Sequence, residues 1–174
     1  MGHTIEPAAS GRAKCRGCRQ AIPRNELRLG ERLPNPFGDG EMTLWFHLLC
    51  GAYKRPEPLL EAMETCEEAI ADRKSLQEAA RFSAEHRRLP RLDGVQRAST
   101  GRARCRSCRE LIAKGLWRIP LVYFEDGRFE PSGYIHVPCA HAYFGTTDVL
   151  SRMRQFCPDL PDEDLADLAK ELAK

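Results

Sequence analysis

Two sets of cysteine and histidine residues in this chain share one spacing, in which C-x2-C is followed by a long insert and then by H-x2-C. The insert holds 28 residues in the first set and 27 in the second. Three thiolates and one imidazole complete the tetrahedral shell of Zn²⁺ and leave no coordination position for water or substrate. The spacing therefore predicts two structural zinc ions. Their ligands are Cys15, Cys18, His47 and Cys50 in one set and Cys105, Cys108, His136 and Cys139 in the other.

The sequence that precedes the ligands is repeated as well. Gly11-Arg12-Ala13 leads into the first cysteine pair, and the same tripeptide, with Arg102 at its centre, leads into the second pair 90 residues later. An internal repeat of this kind indicates two modules of similar architecture, which we place at residues 1–92 and 93–174. Each half of the 174-residue chain can bury only a small core, so a metal ion in each half has a physical role in stability.

Eight cysteines could also form disulfides, but two features favour metal binding. The sequence shows no charged-then-apolar signal peptide and no apolar run long enough to span a membrane. Cys-x2-Cys with a downstream histidine is typical of zinc sites in a reducing compartment. We therefore expect an intracellular protein, located in the cytoplasm or nucleoid of a bacterium or in the nucleus of a eukaryote. The remaining cysteines, Cys66 and Cys157, are interpreted as small apolar residues of helices.

The net charge of +2 conceals an alternating distribution along the chain. Residues 1–56 and 97–145 each carry a net charge of +4, whereas residues 57–96 and 146–174 each carry −3. Positive charge is therefore concentrated on the two metal modules. A local basic surface matters more for the binding of a polyanion than the average over the chain does.

Each module contains a pattern that predicts an antiparallel hairpin. The strand-like runs Glu26–Arg32 and Leu116–Phe124 are each followed by a turn rich in Gly and Asp, and a second strand then leads into H-x2-C. Residues 90–100 contain Pro, Gly, Asp and Ser with little periodicity, and we interpret them as the linker between the modules.

The segment that follows the first module is expected to be helical. Between Pro56 and Leu89, apolar residues recur at helical spacing, and Ser75-Leu76-Gln77-Glu78 resembles a capping box. The pattern allows either one bent helix or two. The predicted apolar stripe consists of Leu59, Met63, Cys66 and Ile70.

The tail of the chain repeats this arrangement. Val149, Met153 and Phe156 form a short stripe, Pro158 interrupts it, and an acidic helix is expected to begin at Pro161. The predicted fold class is α+β, with two tandem zinc-stapled modules that each consist of a small antiparallel sheet with flanking helices.

These residues resemble the zinc finger of poly(ADP-ribose) polymerases, which is also found at the N-terminus of a vertebrate DNA ligase. The matching features are GRA-x-C-x2-C, an early Ile, the pairs Leu27-Arg28 and Trp117-Arg118, an Asp-Gly turn and an aromatic-x-H-x2-C close. The resemblance covers nearly the whole chain as two tandem copies. Its long Cys-to-His insert separates the pattern from classical fingers, ribbons and knuckles.

The resemblance implies a DNA-binding protein of DNA repair or damage sensing that recognises strand breaks or duplex ends by shape, with a repair enzyme as a further partner. In that family, arginines contact the DNA backbone and a loop stacks on the exposed base pair. Such stacking contributes about 1–3 kcal/mol per base. The residues that the resemblance assigns to DNA are Arg12, Arg28, Phe37, Met42, Arg102, Arg118, Phe124 and Phe129.

Position alone leaves Phe37 open to a second interpretation as a core residue, and we expect Trp45 and Trp117 to pack in the core. Two other functions also stay open, a zinc-scaffolded protein–protein interaction module and a single-stranded nucleic-acid binder. They differ from end recognition in where the aromatic side chains lie, on an open loop beside the arginines or folded inward.

We expect no enzymatic activity. A catalytic site needs a nucleophile with a base or a metal with a free position, and the remaining histidines are scattered without supporting residues. The sequence has no phosphate-cradling loop, and it leaves no room after the second finger for the family's catalytic machinery, so no catalytic domain is expected. We also expect no membrane partner and no small-molecule substrate. The histidines in question are His3, His86 and His141.

Overall fold

The computed structural model of the chain describes residues 2–174. It contains two compact units, of which one ends at Glu85 and the other begins at His86. Each unit has a three-stranded antiparallel sheet followed by helices, and each carries a Cys/His cluster, so the predicted α+β class is confirmed. The division lies seven residues before the boundary predicted between residues 92 and 93. Within residues 2–174, no helix is long and apolar enough to cross a membrane.

The sheet of the first unit has the order β1-β2-β3. Its strands are β1 (Thr4–Pro7), β2 (Leu27–Pro34) and β3 (Glu41–His47). Strands β2 and β3 form the predicted hairpin, whereas β1 adds an edge strand that the sequence did not predict. The register places Arg28 opposite the ligand His47, so the strand pairing brings a basic residue next to the metal cluster.

The two faces of this sheet have different roles. One face packs the core, and Gly30 lies on the other face, where it pairs with Trp45. A Cβ atom at Gly30 would lie 2.7 Å from the Trp45 ring, so only glycine allows the indole to lie across the strand. The core face of the sheet presents Ile5, Leu29, Leu44 and Phe46, all of which are buried.

Three helices complete the first unit: α1 (Leu48–Lys54), α2 (Pro56–Thr65) and α3 (Arg73–Glu85). The segment after Pro56 is therefore two helices rather than one. Helix α2 ends at Thr65, and the backbone of Cys66 is extended (φ −75°, ψ 122°). Cys66 and Ile70 therefore lie outside the helix and do not continue the predicted stripe.

Helix α3 begins two residues before the predicted capping box. Ser75 therefore lies inside the first turn and does not cap the helix, so that prediction was wrong. The side chain of Arg73 donates a hydrogen bond to the carbonyl of Met63, near the end of α2. This tertiary contact, which the local sequence does not show, fixes the start of α3 against α2.

Glu31 is a buried carboxylate on the core face of β2, and its side chain is 1% exposed. Arg55 donates to it from Nε at 3.0 and 2.9 Å and from Nη2 at 2.5 Å. We expect Glu31→Ala to lower the free energy of unfolding by about 3 kcal/mol, because it breaks a buried ion pair. Urea unfolding of the zinc-loaded protein measures this loss. The exposed Glu41 on the same sheet provides the control Glu41→Ala, and equal stability of both variants would contradict the prediction.

The second unit repeats the sheet with the order β4-β5-β6. Its strands are β4 (Gln96–Arg97), β5 (Trp117–Glu125) and β6 (Arg128–His136). Arg118 pairs with the ligand His136, as the equivalent arginine does in the first unit. The register then shifts between Pro120 and Val122, which distinguishes this hairpin from the first one.

Residues 90–100 are part of the second unit, so the prediction that they form a linker was wrong. The segment begins within a short 3-10 helix (Leu89–Arg91), Leu92 forms a bridge with Leu121, and β4 follows. The chain turns repeatedly here, so its inward-facing residues follow no helical or strand period. The buried apolar residues of the segment and its lead-in are Leu89, Leu92, Val95 and Ala98.

The helices of the second unit are α4 (Ala140–Phe144), α5 (Leu150–Phe156) and α6 (Asp162–Leu172). As predicted, the chain leaves α5 before Pro158, and the acidic helix α6 begins directly after Pro161. Cys157 follows α5 instead of lying within it, and its Sγ contacts the backbone of Val95. Both non-ligand cysteines were predicted in helices, and both lie just beyond a helix end.

Candidate metal centres and nucleic-acid interface

The first Cys/His cluster is assembled from three elements of the first unit. Cys15 and Cys18 lie in the loop before β2, His47 ends β3, and Cys50 lies in α1. Their ligand atoms all lie within 4.8 Å of one another. His47 Nδ1 is 3.3 Å from the Sγ of Cys18 and 3.9 Å from that of Cys50. A tetrahedral zinc ion with ordinary bond lengths requires N···S separations of about 3.6 Å, so the cluster has the dimensions of a zinc site.

The second cluster has the same geometry in the second unit. His136 Nδ1 is 3.4 Å from the Sγ of Cys108 and 3.9 Å from that of Cys139. Cys105 is buried, as its counterpart in the first unit is, whereas Cys108 is exposed. The two predicted ligand sets are therefore both brought together by the fold, and the chain has two Cys₃His sites for structural zinc ions.

A backbone contact at Nε2 of each ligand histidine determines that Nδ1 is the nitrogen available to the metal. His47 Nε2 lies 3.2 Å from the carbonyl oxygen of Ala21, and His136 Nε2 lies 3.2 Å from that of Leu111. A carbonyl oxygen can only accept a hydrogen bond, so Nε2 is the nitrogen that carries the hydrogen. The lone pair of the ring is therefore on Nδ1, which lies inside the cluster. These backbone contacts orient both imidazoles as zinc ligands.

Backbone N–H groups point at the buried thiol of each cluster. In the first site, the N–H groups of Gly17 and His47 donate to the Sγ of Cys15, both at 3.3 Å. In the second site, Ser107 and the ligand histidine donate to the Sγ of Cys105 at 3.4 and 3.3 Å. Such donation stabilises a thiolate, which is the form that binds zinc.

The pKa values of the ligand residues also indicate that each cluster favours a bound cation. Hydrogen bonding from Cys18, and then from Cys50, lowers the pKa of Cys15 to about 3, and the hydrogen bond with Cys18 raises the pKa of His47. Burial alone would raise the pKa of Cys105, but donation from backbone N–H groups lowers it to about 7. Burial, together with the charge on Cys105, raises the pKa of Cys139 to about 12. Closely packed thiols cannot all ionise without a positive charge among them, and a divalent metal ion supplies that charge.

Arg28 and Arg118 occupy equivalent positions on the outer faces of the two sheets. The Cζ atom of Arg28 lies 3.5 Å from the ring centroid of Trp45, and that of Arg118 lies 3.7 Å from the ring centroid of Tyr134. These are cation–π contacts. The arginines are only 7% and 5% exposed, so their side chains form part of the sheet surface.

The hydrogen bonds of these two arginines differ. Arg118 donates from Nε and Nη2 to the side-chain oxygen of Gln96 at 3.1 and 2.8 Å. Arg28 instead has Glu6 at 3.6 Å from Nη2, and its buried Nε has no hydrogen-bond partner within residues 2–174. An unpaired buried donor is costly, so Arg28 gains more from an anionic oxygen than Arg118 does.

Arg12 and Arg102 extend from matching turns next to the metal sites. The backbone N–H of Arg12 donates to the hydroxyl of Ser10 at 3.3 Å, and that of Arg102 donates to the hydroxyl of Thr100 at 3.4 Å. Both arginine side chains are exposed. The repeated turn therefore presents one accessible guanidinium beside each zinc site.

Phe37 lies at the tip of the loop between β2 and β3 and is 76% exposed. The backbone N–H of Phe37 donates to the side chain of Asn35 at 3.0 Å, and the N–H of Asn35 donates to the carbonyl of Gly40 at 3.0 Å. The structure thus excludes the core interpretation for Phe37 and places its ring on an ordered turn. Met42 is half-buried at the start of β3, opposite Leu33.

The corresponding loop of the second unit is a two-residue turn formed by Asp126 and Gly127, whose φ angles are 51° and 76°. Positive φ at both positions is typical of a tight type I′ hairpin. Phe124 and Phe129 face each other across this hairpin, with ring centroids 4.9 Å apart, and both are half-buried. These rings contact one another, whereas the ring of Phe37 is exposed.

Comparison with known proteins matches the first unit to a family model. Residues 6–86 match the family model described as "Poly(ADP-ribose) polymerase and DNA-Ligase Zn-finger region". The first module matches the zinc finger of poly(ADP-ribose) polymerases. This finger contains the first Cys₃His site and the loop of Phe37, and members of its family are known for DNA binding. The second Cys₃His site lies outside the residues that this family model matches.

Several polymerases are similar to the chain over different lengths. "Poly [ADP-ribose] polymerase" of Sarcophaga peregrina is 28% identical over 193 residues, which cover 97% of this chain and 19% of the relative. The rice "Poly [ADP-ribose] polymerase 1" is 27% identical over 140 residues, covering 77% of this chain and 14% of the relative. The corresponding Caenorhabditis elegans protein is 42% identical over 50 residues, or 29% and 5% of the two chains. The chain spans less than a fifth of the length of these relatives.

Sequence reasoning missed the side chains that hold the arginines in place. It expected Trp45 and Trp117 in the core; Trp117 is buried, whereas Trp45 is half-buried beneath Arg28. A signal was present, because each finger has an aromatic residue two positions before its ligand histidine. Neither the contact of Gln96 nor the burial of Glu31 has a comparable sequence signal.

Proposed function

We propose that the chain is a zinc-dependent DNA-binding protein that recognises strand breaks or duplex ends by backbone contacts and end stacking. The observation that carries this proposal is the exposed ring of Phe37, held on an ordered turn of a module that matches a poly(ADP-ribose) polymerase-type finger. A terminal base pair has one face without a stacking partner, and an aromatic side chain can cover it. A continuous duplex offers no such face.

The arginines next to the metal sites supply the backbone contacts. The exposed guanidinium groups of Arg12 and Arg102 can each bind two phosphate oxygens. Arg28, which is 7% exposed, is proposed to add a third contact, while Arg118 keeps its hydrogen bonds to Gln96. Such contacts are insensitive to base sequence and sensitive to salt.

The two fingers have unequal roles in this proposal. The first finger is proposed to contact the end through Phe37, because its loop presents an exposed ring, and through Met42 at the start of β3. In the second finger, the rings of Phe124 and Phe129 contact each other, and they would have to separate before either ring could stack on a base. The second finger is therefore proposed to contribute backbone contacts.

The proposal includes no catalytic step. Three thiolates and an imidazole fill the tetrahedral shell of each zinc ion, so each metal serves the fold and has no position for substrate. The function would lie in DNA repair or damage sensing, through recruitment of a repair enzyme to the bound end. Incubation of the protein with NAD⁺ and with nicked DNA tests the absence of a catalytic step. Turnover of either compound would show that the chain has an enzymatic activity of its own.

Three DNAs of equal length and sequence test the recognition of ends: a sealed dumbbell, a nicked dumbbell and a blunt-ended duplex. We expect the zinc-loaded protein to bind the nicked and blunt forms about tenfold more tightly than the sealed form at one salt concentration, since stacking contributes about 1–3 kcal/mol. Fluorescence anisotropy measures the three affinities. Equal affinities would reduce the proposal to a basic DNA-binding surface. Tighter binding to a single strand of the same sequence, measured alongside, would favour the alternative of a single-stranded nucleic-acid binder. Absence of binding to all of them would favour the protein-interaction alternative.

A further inference from the structure

The second unit carries a cluster of arginines around one tyrosine, outside the metal sites. This Arg–Tyr cluster consists of Arg88, Arg91 and Tyr143, together with Arg87, which directly precedes Arg88 in the chain. The Cζ atom of Arg88 lies 4.8 Å from the ring centroid of Tyr143, and Arg91 Nη1 donates to the hydroxyl of Tyr143 at 3.1 Å. All three arginines are exposed. The first unit has no counterpart, because the buried Lys54 takes the place of the tyrosine four residues after the last zinc ligand.

The backbone that carries these arginines is anchored in the core. Leu89 and Leu92, which lie between and beside them, are each 1% exposed. The N–H of Leu89 donates to the carbonyl of His86 at 2.9 Å, and Leu92 forms a bridge with Leu121 of β5. The arginines therefore extend from an ordered turn, and less conformational entropy is lost when they bind a ligand.

The cluster carries positive charge without a counter-ion. None of its arginines forms an ion pair with a carboxylate of residues 2–174, whereas Arg154 and Lys174 of the same unit pair with Asp162 at 3.3 Å and with Glu171 at 2.7 Å. Two guanidinium groups held at one ring repel each other, and an anion between them relieves that repulsion. The hydroxyl of Tyr143 accepts from Arg91 and keeps its own proton for donation.

We propose that the Arg–Tyr cluster binds the phosphodiester backbone of DNA, in addition to the contacts made next to the zinc sites. Guanidinium forks match the oxygens of phosphate, and three arginines within five residues match the repeated charge of a polyanion. This inference rests on the proposed function and extends it, because the cluster adds affinity that does not depend on an end.

The test compares two double variants that each remove two positive charges from the second unit. Arg88→Gln with Arg91→Gln alters the cluster, and Arg154→Gln with Lys174→Gln alters arginine and lysine residues that are already paired. Affinities of the zinc-loaded chain for blunt-ended and sealed DNA are measured from ~50 to ~200 mM salt. Circular dichroism establishes that each variant is folded.

We expect the cluster variant to reduce the magnitude of the slope of log affinity against log salt by about 2, since each lost phosphate contact contributes about 0.9 to the slope. We also expect it to weaken binding roughly tenfold or more. Both DNAs should be affected equally, so the ratio between blunt and sealed forms stays unchanged. The paired variant should leave the slope near its original value. The charge-conserving pair Arg88→Lys and Arg91→Lys should retain the slope as well.

Two results would overturn this inference: an unchanged slope in the cluster variant, or an equal loss in the paired variant, which would indicate a simple dependence on net charge. Failure of the proposed function has a different signature. In that case the original chain would bind blunt and sealed DNA equally, while the cluster variant would still show a smaller salt dependence of its affinity for both DNAs. Absence of any DNA binding would overturn both proposals.

Discussion

Removal of zinc with a strong chelator is expected to unfold both modules. Each unit has a small core, and its ligands join a loop, a strand and a helix, so the metal ion cross-links elements that are separate in the sequence. In domains of this kind the free energy of metal binding, roughly 10–16 kcal/mol for zinc-finger peptides, is also free energy of folding. Far-ultraviolet circular dichroism, recorded during titration with chelator and then with added zinc, measures the loss and recovery of structure.

Single cysteine variants make this prediction specific to each site. Cys15→Ala should release one zinc ion and unfold the first unit, and Cys105→Ala should do the same in the second. Cys66→Ala provides the matched control, because Cys66 lies outside both clusters and its Sγ donates to the carbonyl of Glu68 at 3.8 Å. Full secondary structure in the chelated protein, or an unfolded control, would contradict the structural role of the metal.

Phe37→Ala is expected to remove the preference for DNA ends while leaving the protein as stable as before. The ring is 76% exposed, so its loss creates no cavity, and the free energy of unfolding should change by less than about 0.5 kcal/mol. Affinity for blunt and nicked DNA should fall about tenfold, toward that for sealed DNA, because the stacking contact is lost. Anisotropy on the three DNAs and urea unfolding measure the two effects separately.

Phe124→Ala is the informative counterpart in the second finger. Its ring contacts Phe129 at 4.9 Å between centroids, so its removal should cost about 1 kcal/mol of stability and leave the end preference intact. The reverse pattern, with end preference lost in Phe124→Ala and kept in Phe37→Ala, would assign the end to the second finger instead.

The metal sites could be predicted from the sequence because zinc ligands follow strict chemistry. Residue type and short-range spacing place Cys15 and Cys18 in one knuckle and His47 and Cys50 in another, and the repeat identifies the second site by the same rule. The hairpin between the two knuckles was equally predictable, because strand-like runs flank a turn rich in Gly and Asp. These features depend on local sequence alone.

The edge strands β1 and β4 could not be predicted in this way. Thr4–Pro7 and Gln96–Arg97 are too short to show an alternating pattern, and they become strands because β2 and β5 offer them hydrogen-bonding partners. The same reason explains the segment 90–100, whose apolar residues turn inward one at a time.

The environment of the arginines depends on cross-strand register, which a linear pattern does not contain. Arg28 and Arg118 were predicted from a resemblance as DNA-contacting residues, and this role stays a prediction. Their stacking on Trp45 and Tyr134 follows from the pairing of neighbouring strands. The polar partner of each arginine, Glu6 for Arg28 and Gln96 for Arg118, lies on the edge strand. The edge strand is the least predictable element of each sheet.

The contact between arginine and tryptophan also gives the protein a built-in optical signal. The chain contains only two tryptophans, one in each unit. Trp45 lies beneath Arg28, and the ring of Trp117 lies 3.8 Å from the Cζ atom of Arg97. The emission of an indole responds to a charge at its face, and each of these charges is held in place by the fold of its own unit. Intrinsic fluorescence, with one tryptophan replaced by phenylalanine at a time, can therefore follow either unit separately without a label.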